Sequence, residues 1–426
     1  VTIPNSVTSV GADAFANCSN LKKLKMPITA SVITNGESYT TSAASFDECR
    51  SIEEVIFTAG DDGIPANGEK VDYGYLLDDS RQTIKKISFE EGVKMIPDKM
   101  CIRCKALTSV DIPSTVTSIG DEAFCGCKSL ASLKLPKGIT QIGESAFSGC
   151  SGISGELLIP DSVTSIGNEA FNGCKSFTTL KLPKGITQIG DSVFSGCSGI
   201  SGEVVIPDGV TSIGNEAFYG CKSLTSLKLS KGITRIGESA FSGCSGIGGE
   251  VAIPDGVTSI VSSTFSGCTN LQSVTIPDSV TSIGDSAFYN CSNLKKLRMP
   301  ITANVYIDNS GNASKEVSFY GCSGIEEIVF TAGSDGIPGN GANTKYYNLF
   351  ETEQTLKRVS FEEGVKIIPI SICYRCEALT TADIPSTVTS IGAEAFYGCK
   401  SLTTLNLPKA VTQMTQIGEG AFSYCR

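Results

Sequence analysis

The sequence predicts a β-rich solenoid, a curved right-handed coil with parallel strands on a concave sheet and short 3₁₀, helical or irregular segments on the convex side. A phrase ending in Ala-Phe-x-x-Cys recurs along all 426 residues, mostly at spacings of 23 or 24. A period of this length is typical of stacked repeats. Alternating leucines and a closing proline recur within the same units. We therefore predict a single elongated domain over residues 1–426, of about 17 turns. Because both ends fall inside a unit, we interpret the chain as a fragment of a longer protein.

Residues 116–136 contain one representative unit. The segment 130–135, Leu-x-x-Leu-x-Leu, matches the start of the leucine-rich-repeat signature and predicts a short strand with inward leucines. Pro136 should end this strand, because proline cannot donate to a sheet. We expect Lys134 to face solvent on the concave side. Phe147 should fill the convex part of the turn after a short helical or 3₁₀ stretch at 144–146.

Residues that share a column in successive units constrain the backbone. The column of Gly120 and Gly143 also holds Pro97 and Val261. Proline and β-branched residues avoid positive φ, so this column should have negative φ, with glycine present for close packing. The column two residues after the phenylalanine, represented by Gly126, is a better candidate for left-handed geometry.

The residue after the strand proline, or after Ser230 in the one unit where serine replaces that proline, alternates in sign over six consecutive units. These residues are Lys137, Asp161, Lys184, Asp208, Lys231 and Asp255. Stacked turns would place them about 4.8 Å apart, as a ladder of opposite charges. The ladder would either fix the register of the turns or bind a charged ligand.

Most of the 18 cysteines occupy the slot three residues after the phenylalanine. In a repeat this slot points inward, where a side chain can bond to unpaired backbone. We therefore predict buried free thiols rather than disulfides. The segments 101–104 and 373–376, both Cys-x-x-Cys, resemble half a zinc site. The repeat register accounts for both pairs, so we predict no bound metal.

Charge and composition argue against several function classes. A net charge of −10 does not suit a nucleic-acid ligand, which requires a basic surface. No apolar run is long enough to span a bilayer, so we predict no membrane insertion within the chain. The sequence has no histidine and no phosphate-binding loop. Paired carboxylates such as Glu53-Glu54 are interpreted as solvated surface. We therefore predict neither an enzyme nor a cofactor.

A whole block of turns is repeated at an offset of 273, since Val1-Thr-Ile-Pro returns at Val274. Each block contains two stretched units, with inserted loops at about 28–45, 58–77, 301–318 and 331–349. Loops on a rigid scaffold are a usual place for recognition, although insertions are also tolerated without function. Half of the tyrosines lie in these loops: Tyr39, Tyr73, Tyr75, Tyr306, Tyr346 and Tyr347.

The phrase Ile-Pro-x-x-Val-Thr-Ser-Ile-Gly-x-x-Ala-Phe-x-x-Cys-x-x-Leu-x-x-Leu-x-Leu-Pro resembles the BspA-like, or treponemal-type, leucine-rich repeat family over essentially the whole chain. That resemblance implies a leucine-rich-repeat solenoid. It also implies a surface or secreted protein that acts in adhesion to host matrix proteins or in aggregation between cells. The family has no shared catalytic motif, so the resemblance assigns no functional residue.

The leading functional prediction is a non-catalytic cell-surface adhesion or ligand-binding module that uses the concave sheet, the inserted loops or both. Candidate binding residues on the sheet are Lys134, Lys181, Lys228, Lys296, Arg298, Glu156, Glu203 and Glu250. Their mixed charge favours a protein ligand, such as a host matrix or cell-surface protein. The alternative is an intracellular or structural protein-interaction scaffold, which free thiols would suit.

Overall fold

The computed structural model describes residues 1–32, 45–64, 76, 78–305, 317–339, 349, 354–407 and 413–425. The chain forms two compact units, Val1–Ser201 and Gly202–Arg426. Each unit is a solenoid in which short strands of successive turns pair in parallel. Within the described ranges, regular helix is limited to the 3₁₀ turn Asp78–Ser80. No helix in these ranges is long and apolar enough to cross a membrane.

The strands of the first unit are β1 (Ser9–Val10), β2 (Lys23–Pro27), β3 (Ser31–Val32), β4 (Glu54–Thr58), β5 (Lys86–Phe89), β6 (Met95–Ile96), β7 (Ser109–Asp111), β8 (Ser118–Ile119), β9 (Gln141–Ile142), β10 (Gly155–Leu158), β11 (Ser165–Ile166), β12 (Phe177–Lys181) and β13 (Gln188–Ile189). The longer strands form the sheets β2-β4-β5-β7 and β10-β12. The two-residue strands form β1-β3 and β6-β8-β9-β11.

The strands of the second unit are β14 (Gly202–Val205), β15 (Ser212–Ile213), β16 (Leu224–Lys228), β17 (Arg235–Ile236), β18 (Gly249–Ala252), β19 (Ser259–Ile260), β20 (Leu271–Thr275), β21 (Ser282–Ile283), β22 (Lys296–Pro300), β23 (Asn304–Val305), β24 (Glu327–Thr331), β25 (Arg358–Phe361), β26 (Ile367–Ile368), β27 (Thr381–Asp383), β28 (Ser390–Ile391), β29 (Thr404–Asn406) and β30 (Gln416–Ile417). The longer strands form β14-β16 and the seven-stranded sheet β18-β20-β22-β24-β25-β27-β29. The short strands pair as β15-β17, β19-β21-β23 and β26-β28-β30.

A column of stacked phenylalanines fills the interior of each unit. In the first unit, the rings of Phe124 and Phe147 lie 5.3 Å apart and nearly parallel, and Phe171 continues the stack at 5.5 Å. Phe265 and Phe288 stack in the same way in the second unit, at 5.5 Å. These rings are fully buried. Ile139 and Ile142 are buried as well, so the predicted interior of the repeat is confirmed.

The glycine column has negative φ, as the proline and valine in it predict. A Cβ at Gly143 would lie 2.6 Å from the backbone nitrogen of Asp121 and 2.6 Å from the carbonyl carbon of Gly120. Glycine is therefore needed because adjacent turns pack there backbone to backbone. The second column is left-handed, with φ of +73° at Gly126 and +58° at Arg103, so that prediction is confirmed even where arginine replaces glycine.

The helical or 3₁₀ segment predicted at 144–146 is wrong. Ser145 has φ of +51°, and Glu122, in the equivalent position one unit earlier, has φ of +53°. A left-handed residue breaks a right-handed helix, so this side consists of consecutive turns. The N–H groups of Glu122 and Phe124 donate instead to the carbonyls of Glu144 and Ala146, at 2.7 and 2.8 Å. Hydrogen bonds thus join the turns on this side too.

The strand predicted at 130–135 is also wrong. No strand forms there, and Leu133 and Leu135 are only partly buried. The following unit has one residue more between its cysteine and its proline. That residue produces a β-bulge at Gly155, where φ is +89° and the pairing of β10 with β12 shifts register. Because a bulge disrupts the hydrogen-bond ladder, β10 pairs only with β12 and leaves 130–135 without a strand partner.

All 18 cysteines are free, and most are buried. The thiol of Cys150 donates to the carbonyl of Phe124 at 3.0 Å, and the thiol of Cys174 donates to the carbonyl of Phe147 at 3.1 Å. Each thiol therefore binds a carbonyl one turn back, which confirms the predicted bond to backbone. Burial raises the pKa of Cys197 to about 12, so its thiol stays protonated at neutral pH.

Candidate protein-recognition face

In each unit the outward side chains of the longer strands form an exposed surface, which we call the long-strand face of that unit. On β10 and β12 the register places Glu156 beside Thr179 and Leu158 beside Lys181. All four side chains are exposed, and Leu158 retains 54% of its accessible surface. The bulge at Gly155 sets this register.

The strand pair β14-β16 repeats the arrangement. Glu203 lies beside Ser226, and Val205 lies beside Lys228. Val205 is 48% exposed, and Gly202 carries the bulge with φ of +80°. An acid, an aliphatic residue and a lysine therefore recur in the same positions.

Among the described residues, the charges of these two strand pairs have no ion-pair partner. In the described part of the chain, no salt bridge involves Glu156, Lys181, Glu203 or Lys228. Lys134 is likewise exposed and unpaired, although it does not lie on a strand. The candidates around the bulged strands are thus available to a partner.

The candidate binding residues on later strands already form ion pairs or hydrogen bonds within the chain. Lys296 lies 3.4 Å from Glu327 on the adjacent strand. Arg298 binds Glu362 through two nitrogens, at 3.3 and 2.9 Å. Glu250 accepts a hydrogen bond from the hydroxyl of Thr275 at 3.0 Å.

The first copy of the duplicated block has the same pairs as the second. Lys23 contacts Glu54 at 2.9 Å, and Lys86 contacts Asp111 at 2.9 Å. The hydrogen bond from Lys86 lowers the pKa of Asp111. These contacts amend the interpretation of Glu53-Glu54 as merely solvated, because Glu53 also binds Lys85 at 2.9 Å.

In the second copy, Asp383 has more partners than Asp111 has in the first. It accepts hydrogen bonds from Ser360 and Asn406, and it pairs with Arg358 at 2.8 Å. Burial alone would raise the pKa of Asp383, but these hydrogen bonds and the arginine charge outweigh it and lower the pKa.

The predicted ladder of alternating charges does not form ion pairs. The six side chains of the ladder, of which Lys137 is the first and Asp255 the last, are exposed. Among the residues described here, none of the six lies within 4.0 Å of an opposite charge. Asp161 instead accepts a hydrogen bond from the backbone nitrogen of Lys184 at 3.2 Å. Water competes effectively for charges on such exposed turns.

The tyrosines of the inserted loops, Tyr39, Tyr73, Tyr75, Tyr306, Tyr346 and Tyr347, lie outside the described residues. Sequence reasoning overlooked a different set of aromatic residues next to the phenylalanine column. Tyr374 and Tyr397 stack at 5.1 Å, and Arg375 lies over Tyr374 at 5.4 Å. The column position after the phenylalanine could have identified this pair.

A groove of about 640 Å³ follows β6, β8, β9 and β11. Two of the three carboxylates that line it bind backbone: Asp98 accepts from the N–H of Asp121, and Asp121 accepts from the N–H of Glu144, both at 2.7 Å. Over the described ranges, no three His, Cys, Asp or Glu side chains are grouped so as to hold a metal ion. The groove therefore shows turn capping and no convergent reactive groups.

Comparison with solved structures finds several chains to which this one is similar. A leucine-rich repeat protein from Bacteroides ovatus is 25% identical, with a TM-score of 0.51 over 95% of this chain and 85% of the other. A leucine-rich cell surface protein from Faecalibacterium prausnitzii is 23% identical, with a TM-score of 0.38 over 91% of this chain and 89% of the other. The pneumococcal vaccine antigen PcpA is 16% identical, with a TM-score of 0.36 over 96% and 94%. No curated protein sequence matches the chain.

The family model for the BspA type leucine-rich repeat region matches six times, at residues 1–66, 94–202, 153–248, 201–315, 249–340 and 302–426. These matches cover most of the chain, and the stacked parallel strands, phenylalanine column and cysteine slots of the structure follow the same repeat. The chain therefore belongs to the BspA-type leucine-rich repeat family.

Proposed function

We propose that the chain is a non-catalytic module that binds a protein ligand through its long-strand face, in adhesion at a cell surface. The ligand would be a host matrix or cell-surface protein. The carrying observation is that Glu156, Lys181, Glu203 and Lys228 are exposed and unpaired next to exposed Leu158 and Val205. Apolar contacts surrounded by charges of both signs suit a protein partner, because complementary charges give specificity and aliphatic contact gives affinity.

The surface role follows the resemblance to the BspA-like family and fits this open face. A macromolecular ligand needs a broad surface rather than a deep pocket. We propose no catalytic role, since the sequence has no histidine, the commonest general base.

The test is binding of the chain to immobilised collagen, fibronectin and laminin. Replacing Lys134, Lys181 and Lys228 with alanine should weaken binding about tenfold or more, because the variant loses three exposed charges, two of them on the longer strands β12 and β16. The matched control replaces Lys137, Lys184 and Lys231, which have the same charge and lie just beyond the strands. The control should bind within about twofold of the parent chain. Equal losses in both variants, or no binding to any of the three proteins, would contradict the proposal.

The inserted loops are a second part of the proposed surface. Replacing Tyr39, Tyr73, Tyr75, Tyr306, Tyr346 and Tyr347 together with serine should reduce binding further if the loops contribute, since tyrosines supply large contact area at low entropic cost. Unchanged binding of this variant would confine recognition to the long-strand face.

One observation favours an intracellular scaffold as the alternative. All 18 cysteines are free, and free thiols are usual in a reducing compartment. Protease treatment of intact cells that produce the parent protein discriminates the two. Loss of the repeat epitope supports the surface role, and survival of the epitope in intact cells with its loss after lysis supports the scaffold.

A further inference from the structure

The outward residues of β10 and β12 form the corners of a small rectangle. Adjacent strands lie about 4.8 Å apart, and residues two apart on one strand about 6.7 Å apart. Given the register, Glu156 and Lys181 occupy one diagonal, while Leu158 and Thr179 occupy the other. An acid and a base thus stand at opposite corners, with the exposed leucine between them.

A rectangle of this kind is nearly complementary to itself. A two-fold axis in the plane of the face, along the Leu158–Thr179 diagonal, brings Glu156 of one copy to within about 3 Å of the place opposite Lys181 of the other, because the two sides of the rectangle differ by only about 2 Å. Two facing copies would then form two Glu–Lys pairs, and Leu158 of one copy would meet Leu158 of the other near the axis. Such a contact is isologous, the usual form in symmetric dimers.

We propose that the patch on β10-β12 docks on the same patch of a second copy of this chain, and that the patch on β14-β16, in the other unit, does so by itself. This inference rests on the proposed function, in which the same residues recognise a protein, and it adds a second copy of this chain to their partners. Self-association of this kind would join two molecules carried on different surfaces as readily as two on the same surface.

The second strand pair contains the same rectangle independently. Glu203 and Lys228 occupy one diagonal, and Val205 and Ser226 occupy the other. Val205, which is 48% exposed, takes the place of Leu158 as the apolar residue on the two-fold axis. The recurrence gives each copy two such patches.

The next strand pair shows what the arrangement requires. On β18 and β20, Glu250 keeps the acid, but Thr275 stands where the lysine would be. The Thr275 hydroxyl binds Glu250 at 3.0 Å, so this carboxylate is already occupied. The self-complementary patch is therefore specific to the two bulged pairs that retain lysine.

Charge complementarity favours a second copy over a partner of one charge. A polyanion would meet Glu156 and Glu203, and a polycation would meet Lys181 and Lys228. Each patch has one charge of each sign and no net charge, and an identical patch satisfies both charges at once.

The test is sedimentation velocity of the chain over a range of concentrations, at low and high salt. We expect concentration-dependent self-association that weakens as salt rises, because the pairing charges are exposed. The double variants Glu156→Lys/Glu203→Lys and Lys181→Glu/Lys228→Glu should each lose self-association about tenfold or more, since like charges would then face each other. An equimolar mixture of the two variants should recover it, because one is basic where the other is acidic.

Matched controls carry the same charge changes a few residues further along the same turns. The variants Asp161→Lys/Asp208→Lys and Lys184→Glu/Lys231→Glu should associate like the parent chain. Unaltered circular dichroism and urea unfolding verify that every variant is folded.

Three results would overturn the inference: a parent chain that stays monomeric at low salt, patch variants that dimerise like the parent, or a mixture that recovers no association. The matrix-protein assay separates this failure from that of the proposed function. A monomeric chain that binds collagen, fibronectin or laminin would refute self-docking and retain ligand recognition.

Discussion

The duplicated strands and the bulged strand pairs use the same outward positions in opposite ways. On β2, β4 and β5, and again on β22, β24 and β25, the register places charges of opposite sign side by side, as with Lys23 and Glu54. On β5-β7 the pair of Lys86 and Asp111 is diagonal. On β10-β12 the neighbour of Glu156 is Thr179, Lys181 lies on the diagonal, and no ion pair forms between the two charges in the described residues. The same outward positions therefore hold charges that pair within the fold in one region and charges that stay exposed in the other.

The two copies of the block extend this comparison. The pair between Lys25 and Glu90, at 2.6 Å, becomes Arg298 with Glu362 in the second copy, where arginine binds through two nitrogens. Arginine suits this geometry because its planar group donates two parallel hydrogen bonds. Pairing is thus retained through changes of residue type, which indicates that these charges belong to the fold.

The largest expected effect is common to both regions and comes from the core. Phe147→Ala and Phe288→Ala should each reduce the free energy of unfolding by about 3–5 kcal/mol, because each removes one ring from a stacked, fully buried column. Urea unfolding followed by circular dichroism measures both losses. Similar losses of unfolding free energy in the two variants would mean that the two regions differ only in their surface charges. A much smaller loss for Phe147→Ala would mean that their cores differ as well.

The bulge should be the next most sensitive feature. Gly155→Ala places a side chain at φ of +89°, although the space around a Cβ there is open. The cost should therefore be conformational, about 1–2 kcal/mol in unfolding free energy. The control is Gly138→Ala, where φ is not positive and the nearest atom lies 3.6 Å from the new Cβ. A Gly155→Ala chain as stable as the control would mean that the left-handed glycine does not set the register of β10.

The repeat pattern identifies which residues occupy equivalent positions in successive turns, and this part of the fold could be predicted from the sequence. Phe147, Cys150 and Gly143 each lie where the pattern placed them, because inward positions repeat with the turn. The left-handed Ser145 gave no sequence signal, since serine and glutamate in that column carry no conformational preference like that of glycine. The bulge at Gly155 was visible only as a change in spacing of one residue.

The candidate site was predicted in part for a related reason. Exposure follows from strand alternation, so Glu156 and Lys181 were identified correctly as outward residues. Whether a charge is paired depends on register across turns of unequal length. Lys296 meets Glu327 across a stretched unit, and no local pattern aligns these two residues before the strands are paired. The six loop tyrosines are still a prediction.

A smaller effect is expected from the charge pairs, and it depends on pH. Partners in the folded state lower the pKa values of Asp111 and Asp383, so their contribution to stability is present above the unfolded pKa of about 4 and is lost as pH falls through the lower folded values. Asp111→Asn and Asp383→Asn should each lower the free energy of unfolding by about 0.5–1 kcal/mol at pH 7. Each variant should also lose less stability than the parent chain when the pH falls. Urea unfolding at pH 7 and pH 3 in low salt measures this. A variant that loses as much stability on acidification as the parent would show that these pairs do not hold the carboxylates ionised.

The smallest effect should come from the unpaired charges, and it is the most direct test of the comparison. Glu156→Gln and Glu203→Gln remove carboxylates that have no ion-pair partner among the described residues, so the free energy of unfolding should stay within about 0.3 kcal/mol of the parent value. The same changes should weaken self-association, because each removes one half of a proposed pair between copies. A measurable loss of stability would mean that these acids act within the fold, as Glu54 does, and the distinction between the two surfaces would disappear. Unchanged stability with weaker association would show that these carboxylates contribute free energy to the complex between copies and not to the folded chain.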